Sequence, residues 1–362
     1  MSEEYNIVIV GAGPAGLAAA TTASKYTDKI LIVDENIKPG GQLSKQTHKF
    51  FGSKNHYASV RGVNICNILL DGLSKEKVCF RPETSAIGFY KPDTLIIQDK
   101  EGLHKIKGNK FIFATGAIEN MVSFENNDLP GVYGAGAMQT LMNLYGVKPA
   151  EKVLMLGAGN IGLIVSYQLM QAGVEIMGVV EASPFIGGYH VHAAKLRRMG
   201  VPILTSHTVK GVYGDGKVEK AIIHKLGGGF EPLHGTEKTI EIDTLCLAVG
   251  LTPSVELLHQ AGCNIKFIKE LSGYVSVHDD MMETNIPGVF VAGDASGVEE
   301  ASAAMLEGNM AGLKAAYDIE GFNRSVFLNE KEIVEFELKS LRTGPFGERA
   351  QAGKKRLMVE ER

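Results

Sequence analysis

The sequence predicts an α/β protein in which one doubly wound domain is interrupted by a second domain of the same kind. Three observations predict it. A strand, glycine loop, helix and second strand ending in an acid occupy the N-terminus. The same pattern recurs from Lys152. A further strand then arrives near Gly288, long after the first domain should have closed. A domain whose last strand lies so far from its first carries an insertion. The expected division is 1–117 with 252–321 for the outer domain, 118–251 for the inserted one, and 322–362 as a charged tail.

Tyr5 to Val10 is an unbroken apolar run of strand length, suited to a parallel strand buried on both faces. Gly11-Ala12-Gly13-Pro14-Ala15-Gly16 follows, then an alanine-rich helix from Leu17 to about Lys25. A strand from Lys29 to Val33 ends at Asp34, with Glu35 next. Gly11 permits the tight turn, Gly13 lets a pyrophosphate approach the backbone, and Gly16 lets helix and strand pack closely. The helix N-terminus offers unpaired N–H groups to phosphate, and Asp34 can accept from ribose hydroxyls. In the second copy Lys152–Leu156 is the strand and Gly157-Ala158-Gly159-Asn160-Ile161-Gly162 the loop. A helix over Leu163–Gln171 and a strand over Glu175–Val180 follow, ending at Glu181. A carboxylate at that position accepts from a ribose 2′-OH and repels a 2′-phosphate, and no arginine follows in residues 182–186. NAD(H) is therefore expected over NADP(H).

Three later strands carry short signatures. Lys110–Phe113 runs into Ala114-Thr115-Gly116, Thr244–Leu247 leads to Gly250 and Pro253, and Gly288–Ala292 ends in Gly293-Asp294. A helix of small residues is expected from about Glu299 to Tyr317. From Gly321 onward apolar periodicity fades and charge rises, which reads as a partly ordered tail or a surface that docks a partner.

Composition bounds the function. The 362 residues are 44% hydrophobic and 22% charged with a net charge of −4, so no basic excess points to nucleic acid or an anionic membrane. Cys66, Cys79, Cys246 and Cys263 form no CxxC, and they read as reduced, mostly buried thiols rather than an iron–sulfur or metal site. No apolar run reaches membrane-spanning length, and Met1–Glu4 is short and acidic. A cytoplasmic protein is expected.

Taken together, Gly11–Gly16, Gly40-Gly41-Gln42-Leu43, Ala114-Thr115-Gly116, Gly157–Gly162 and Ala292-Gly293-Asp294 resemble the two-dinucleotide-binding-domain flavoproteins, the thioredoxin and glutathione reductase group. The resemblance covers roughly residues 5 to 320. It implies an FAD-binding Rossmann-like domain interrupted by an inserted NAD(P)-binding Rossmann-like domain. Gly136–Gly146, Tyr167–Gly173, Glu299–Ser302 and Glu307-Gly308 look like a narrower type, the α-type component of amine dehydrogenases and oxidases built from several subunits. These include sarcosine oxidase, opine oxidase, hydrogen cyanide synthase and dye-linked proline dehydrogenase. That likeness implies a substrate-oxidising flavoprotein partner and a small iron–sulfur protein. The chain departs from many such subunits in keeping its second glycine loop intact, and it lacks the cysteine cluster of a fused iron–sulfur module.

The resemblance puts Gly41, Gln42 and Thr47 along the ribityl and ring region of FAD and counts Leu43 among the FAD-binding residues. It gives Asp294 the ribityl or phosphate oxygens, aims the N-terminus of the helix beginning near Glu299 at the flavin N1–O2 edge, and counts Gly293 and Ala301 among the FAD-binding residues. Redox cysteine pairs would fall just after Gly41 or near Gly134–Gln139, and neither stretch holds a thiol. Expected instead is an FAD-dependent pyridine-nucleotide oxidoreductase without a redox disulfide, acting as the electron-transfer subunit of a dehydrogenase. A stand-alone flavin or ferredoxin reductase and a structural subunit remain alternatives. Glu299 and Glu300 read as first-turn helix stabilisers or as redox groups, and His48 and Lys49 as surface or ring-edge residues. His190 and His192 open a basic helix and lack a third metal ligand nearby.

Overall fold

The computed structural model describes residues 3–358, apart from the side chains of residues 345, 346 and 358. The chain divides into two compact units, Met1–Ile118 with Leu251–Arg362, and Glu119–Gly250.

The first unit opens with β1 (Glu3–Val10), α1 (Pro14–Ala23), β2 (Ile30–Val33), β3 (Val78–Arg81), β4 (Ser85–Tyr90), β5 (Thr94–Asp99) and β6 (Gly102–Phe113). The strands lie in the order β3-β2-β1-β6-β5-β4, parallel from β3 to β6 and antiparallel beyond. Alternation along β1 explains why its whole run is apolar. Ile7 and Ile9 face the α1 side, whereas Val8 and Val10 face Leu95, Ile97, Phe111 and Phe113 on the other. Phe89 meets Phe111 edge-on, with ring centroids 4.8 Å apart.

In the second unit the elements are β7 (Val132–Gly134), α2 (Ala135–Asn143), β8 (Lys152–Leu156), α3 (Asn160–Gln171), β9 (Glu175–Glu181), α4 (His190–Arg198), β10 (Ile203–Thr205) and β11 (Thr244–Leu247). Its parallel sheet runs β10-β9-β8-β11-β7. A separate antiparallel sheet of His207–Tyr213, Lys220–Lys225 and Lys238–Glu241 fills the chain between β10 and β11. Each sheet places the strand that leads into its glycine loop, β1 or β8, at the point where strand order reverses, which is where α/β sheets open a crevice for ligands.

The chain then returns to the first unit. β12 (Val289–Val291) pairs in parallel with Phe111–Phe113 of β6. The helix α5 (Ala301–Glu320) lies along α1, burying Ala303, Ala304, Gly308, Ala311, Gly312 and Ala315. A Cβ added at Gly308 would run into the Ala15 carbonyl oxygen, so the two helices touch backbone to backbone.

The expected charged tail is corrected by two helices packed on this unit, α6 (Arg324–Leu341) and α7 (Gly344–Met358). Phe327 of α6 stacks on Tyr317 with centroids 4.1 Å apart, and Leu357 of α7 joins Ile268, Leu271, Val275 and Val277. Few buried residues anchor each helix and much of the remaining surface is charged, so the apolar periodicity is weak. Ile333 and Phe336 remain exposed on α6. Among the described residues no helix is long and apolar enough to cross a membrane.

Because Gly308 lies against the Ala15 carbonyl, Gly308→Ala should force the helices apart and cost about 1–3 kcal/mol, the usual range for overpacking. Urea unfolding followed by circular dichroism checks this.

Candidate functional site

Each parallel sheet carries a glycine loop at the C-terminal edge of its central strand, and the two loops are built alike. Gly11 has φ +103° and Gly157 φ +110°, backbone that side chains rarely adopt. A Cβ on Gly11 would strike the Ala114 carbonyl, and one on Gly157 the Ala248 carbonyl. Gly16 and Gly162 lie likewise against the carbonyls of Gly11 and Gly157. Yet nothing lies within 4 Å of where a Cβ would stand on Gly13 or Gly159. The loops are closed wherever protein must pack and open at the middle glycine.

The hydrogen bonds repeat as well. Gly11 N donates to Val33 O at 2.8 Å and Gly157 N to Val180 O at 2.7 Å; Ala114 N donates to Val10 O at 2.8 Å and Ala248 N to Leu156 O at 2.7 Å. Asp34 Oδ2 accepts from Ala12 N at 2.6 Å, and Glu181 Oε2 from Ala158 N at 2.7 Å. Their other oxygens accept from Asn36 N at 2.8 Å and Ser183 N at 2.9 Å. Each acid is thus pinned beside its loop as a charged acceptor, with lone pairs left over for sugar hydroxyls. Neither α1 nor α3 has a side-chain cap. Pro14 begins α1, and Asn160 begins α3 while accepting from Tyr189 N at 2.7 Å. Uncapped N–H groups beside an open glycine fit a pyrophosphate, so the residues present suit a dinucleotide in each unit.

A second pair of glycines closes over each loop. Gly40 N donates to Ala12 O, and Gly188 N to Ala158 O at 2.9 Å. A Cβ on Gly41 would stand 2.9 Å from Gly13 Cα, and one on Gly188 2.8 Å from Asn160 N. Sequence reasoning misses Gly187-Gly188, although it follows Glu181 at the spacing by which Gly40-Gly41 follows Asp34.

Other expected site residues separate. Gln42, Glu35 and Ile161 are exposed, Thr47 and Ala301 are half-buried, and Thr115 Oγ1 donates to Ser254 O at 2.8 Å, with Gly116 beside it. Leu43 is fully buried among Ile65, Cys66 and Leu69, so its side chain belongs to the core rather than to a ligand. Glu299 and Glu300 precede α5 rather than forming its first turn, and Glu299 is bound bidentately by Arg342. The four cysteines are free, with Cys66, Cys246 and Cys263 buried and Cys79 exposed. His192 is buried, which lowers its pKa, while His190 is exposed.

Gly293-Asp294-Ala295-Ser296 forms a 3-10 turn after β12. A Cβ on Gly293 would stand 2.8 Å from Ala15 Cβ, so the turn rides on the first turn of α1. Asp294 Oδ1 accepts from Glu299 N at 3.3 Å. Burial pushes its pKa up to about 7, with Glu307 and Glu299 adding to the rise and Lys354 opposing it. Beneath the turn lies Glu307, joined to Arg342 and Lys354 of the C-terminal helices. No local signal marks those two basic residues in the sequence.

Two glycine-loop crevices, each with its own strand-end acid, define a protein with two dinucleotide-binding units of Rossmann type. The chain belongs to the pyridine nucleotide-disulphide oxidoreductase family, whose profile matches residues 5–308, and members bind FAD and a pyridine nucleotide. It is 27% identical over 349 residues to an opine oxidase subunit of Agrobacterium tumefaciens (strain Ach5), covering 88% of this chain and 67% of that one. It is 29% identical over 317 residues to the alpha subunit of sarcosine oxidase from Rhizobium meliloti (strain 1021), covering 84% of this chain but 29% of that one. In fold it is similar to the thioredoxin reductase of T. acidophilum, with a TM-score of 0.71, 22% identity, and coverage of 88% of this chain and 99% of that one.

The raised pKa of Asp294 has a testable sign. Between its ordinary value of 3.8 and about 7 the folded protein holds a proton that the unfolded chain has lost. Stability therefore falls as pH rises through that window and levels off above it. In flavin-stripped protein, Asp294→Asn should remove this fall, so the variant's melting temperature gains on wild type from pH 5 to pH 8.

Proposed function

We propose that the chain is an FAD-dependent oxidoreductase that exchanges electrons with NAD(H) without a redox disulfide, as the electron-transfer subunit of a larger dehydrogenase. The observation that carries this reading is the duplicated loop, open at Gly13 and again at Gly159, each with an acid pinned at its side. The first site is assigned to FAD and the second to NAD(H). FAD bound there supplies the two-electron chemistry, and the protein binds and orients it.

Each residue has a stated task in this reading. Gly13 and Gly159 admit the pyrophosphates to the helix N-termini, and Asp34 and Glu181 hold the ribose hydroxyls. Asp294 meets the ribityl chain, accepting as a carboxylate or donating when protonated. Glu181 supports NAD(H) over NADP(H), since its fixed charge would repel a 2′-phosphate. The absence of thiols in Gly41–His48 and Gly134–Gln139 supports chemistry through flavin alone. The partner reading is supported by relatives named as oxidase subunits, of which this chain spans 67% and 29% of the length. By that reading a partner flavoprotein oxidises an amine or amino acid, and a small iron–sulfur protein joins the complex.

An anaerobic titration of the purified chain by NADH, followed by visible absorption, should bleach the bound flavin, with NADPH at least about tenfold less effective. A yellow protein untouched by NADH would sink the assignment of the second site. Gly159→Val, which fills the open space at that loop, should abolish bleaching while leaving FAD bound. Unchanged bleaching in that variant would place nucleotide binding elsewhere.

A further inference from the structure

Glu307 is 2% exposed, on the second turn of α5. Its Oε2 accepts from Gly293 N at 3.0 Å and from Ser296 Oγ at 2.6 Å. Its Oε1 lies 2.5 Å from Arg342 Nη2 and 2.7 Å from Lys354 Nζ. Lys354 is buried as well, and donates to Ser296 O at 3.0 Å and Ser296 Oγ at 2.7 Å. Arg342 forks onto Glu299 through Nε at 3.0 Å and Nη2 at 2.7 Å. Glu299 in turn donates its N–H to Asp294. Gly293, Ser296 and Glu299, which hold the turn carrying Asp294, are therefore each bonded, directly or through Glu307, to Arg342 or Lys354.

Charge states agree with this geometry. Burial alone would raise the pKa of Glu307, but Lys354 and Arg342 outweigh it and hold the carboxyl ionised. Burial pushes His278 down to about 3, so the ring is neutral; its Nδ1 donates to Asp279 O, leaving Nε2, 3.3 Å from Lys354 Nζ, to accept. Burial also lowers the pKa of Lys354, opposed by Glu307.

Buried ion pairs bring little net stability, because desolvation offsets their attraction. What this cluster does bring is direction. A forked guanidinium and an ammonium with several fixed acceptors leave Glu307 one orientation, and Glu307 leaves Gly293 N and Ser296 one orientation in turn. The turn cannot drift toward α1 either, since Gly293 already packs on Ala15. Both basic residues lie beyond residue 308, where the family match ends.

We propose that Arg342 and Lys354 are positioning residues for the cofactor site, holding through Glu307 and Glu299 the turn that presents Asp294 to the ribityl chain of FAD. This rests on the assignment of FAD to the first unit. Neither side chain touches the reacting atoms; each acts through a carboxylate.

The test uses the full chain, stripped of flavin and titrated with FAD. Lys354→Met and Arg342→Met should each weaken FAD binding at least about tenfold and alter the visible circular dichroism of the bound flavin. Arg342→Lys keeps the charge beside Glu307 but loses the fork on Glu299; it should weaken binding less and still alter the dichroism. Lys331→Met, which breaks a surface pair with Asp280 and Glu335, should change neither. Lower melting temperatures with unchanged FAD affinity and dichroism would show a merely structural role and overturn the proposal. If the methionine variants do not fold, Arg342→Lys decides alone, its unchanged dichroism being the overturning result. A wild-type chain that takes up no FAD would overturn the site assignment as well, whereas normal uptake with unaffected variants overturns only this inference.

Discussion

Along the first two turns of α1, backbone meets backbone at several points. Gly11 lies against Ala114, Gly16 against Gly11, Gly308 against Ala15 and Gly312 against Ala19, and Gly293 presses on the Ala15 side chain. Each approach would be blocked by one methylene, and close-packed interiors do not yield that much space. The helix is wedged between sheet and α5 with its N-terminus at the end of β1. Its uncapped N–H groups, the turn of Gly293–Ser296 and the carboxylate of Asp34 all take their positions from that wedge.

The second unit repeats the loop but not its surroundings. Gly157, Gly162 and Glu181 reproduce the contacts of Gly11, Gly16 and Asp34 almost bond for bond. Beyond the shared contacts of Gly40 and Gly188, however, the first loop carries the Gly293–Asp294 turn against Ala15, whereas at the second Tyr189 N donates to Asn160 Oδ1. A common loop geometry combined with different neighbours is what a protein needs if it holds two dinucleotides for different purposes.

Electrostatics sharpens that difference. Asp294 is buried with no basic side chain bonded to it among the described residues, and burial holds its pKa up at about 7, while Glu307 is ionised by Lys354 and Arg342. Two carboxyls so close in the fold are driven apart by what each touches. The ion cluster holds the charge, while burial keeps Asp294 from giving up its proton at the usual carboxylate pH.

The sequence by itself determined the two strand–loop–helix–strand units, their acids and the interrupted order of the first fold. Those signals are local: apolar runs of strand length, glycines at positions where no Cβ fits, a carboxylate at a strand end. Only the tertiary structure decided that Leu43 packs in the core beside residues far along the chain, or that Glu299 precedes its helix to meet Arg342. Only it turned the charged stretch after Gly321 into two helices whose Arg342 and Lys354 reach a buried carboxylate. A lysine destined for burial looks the same in sequence as one left in water. Its partner, Glu307, lies 47 residues earlier, and nothing but the packing of α7 on the first unit brings the two within 2.7 Å.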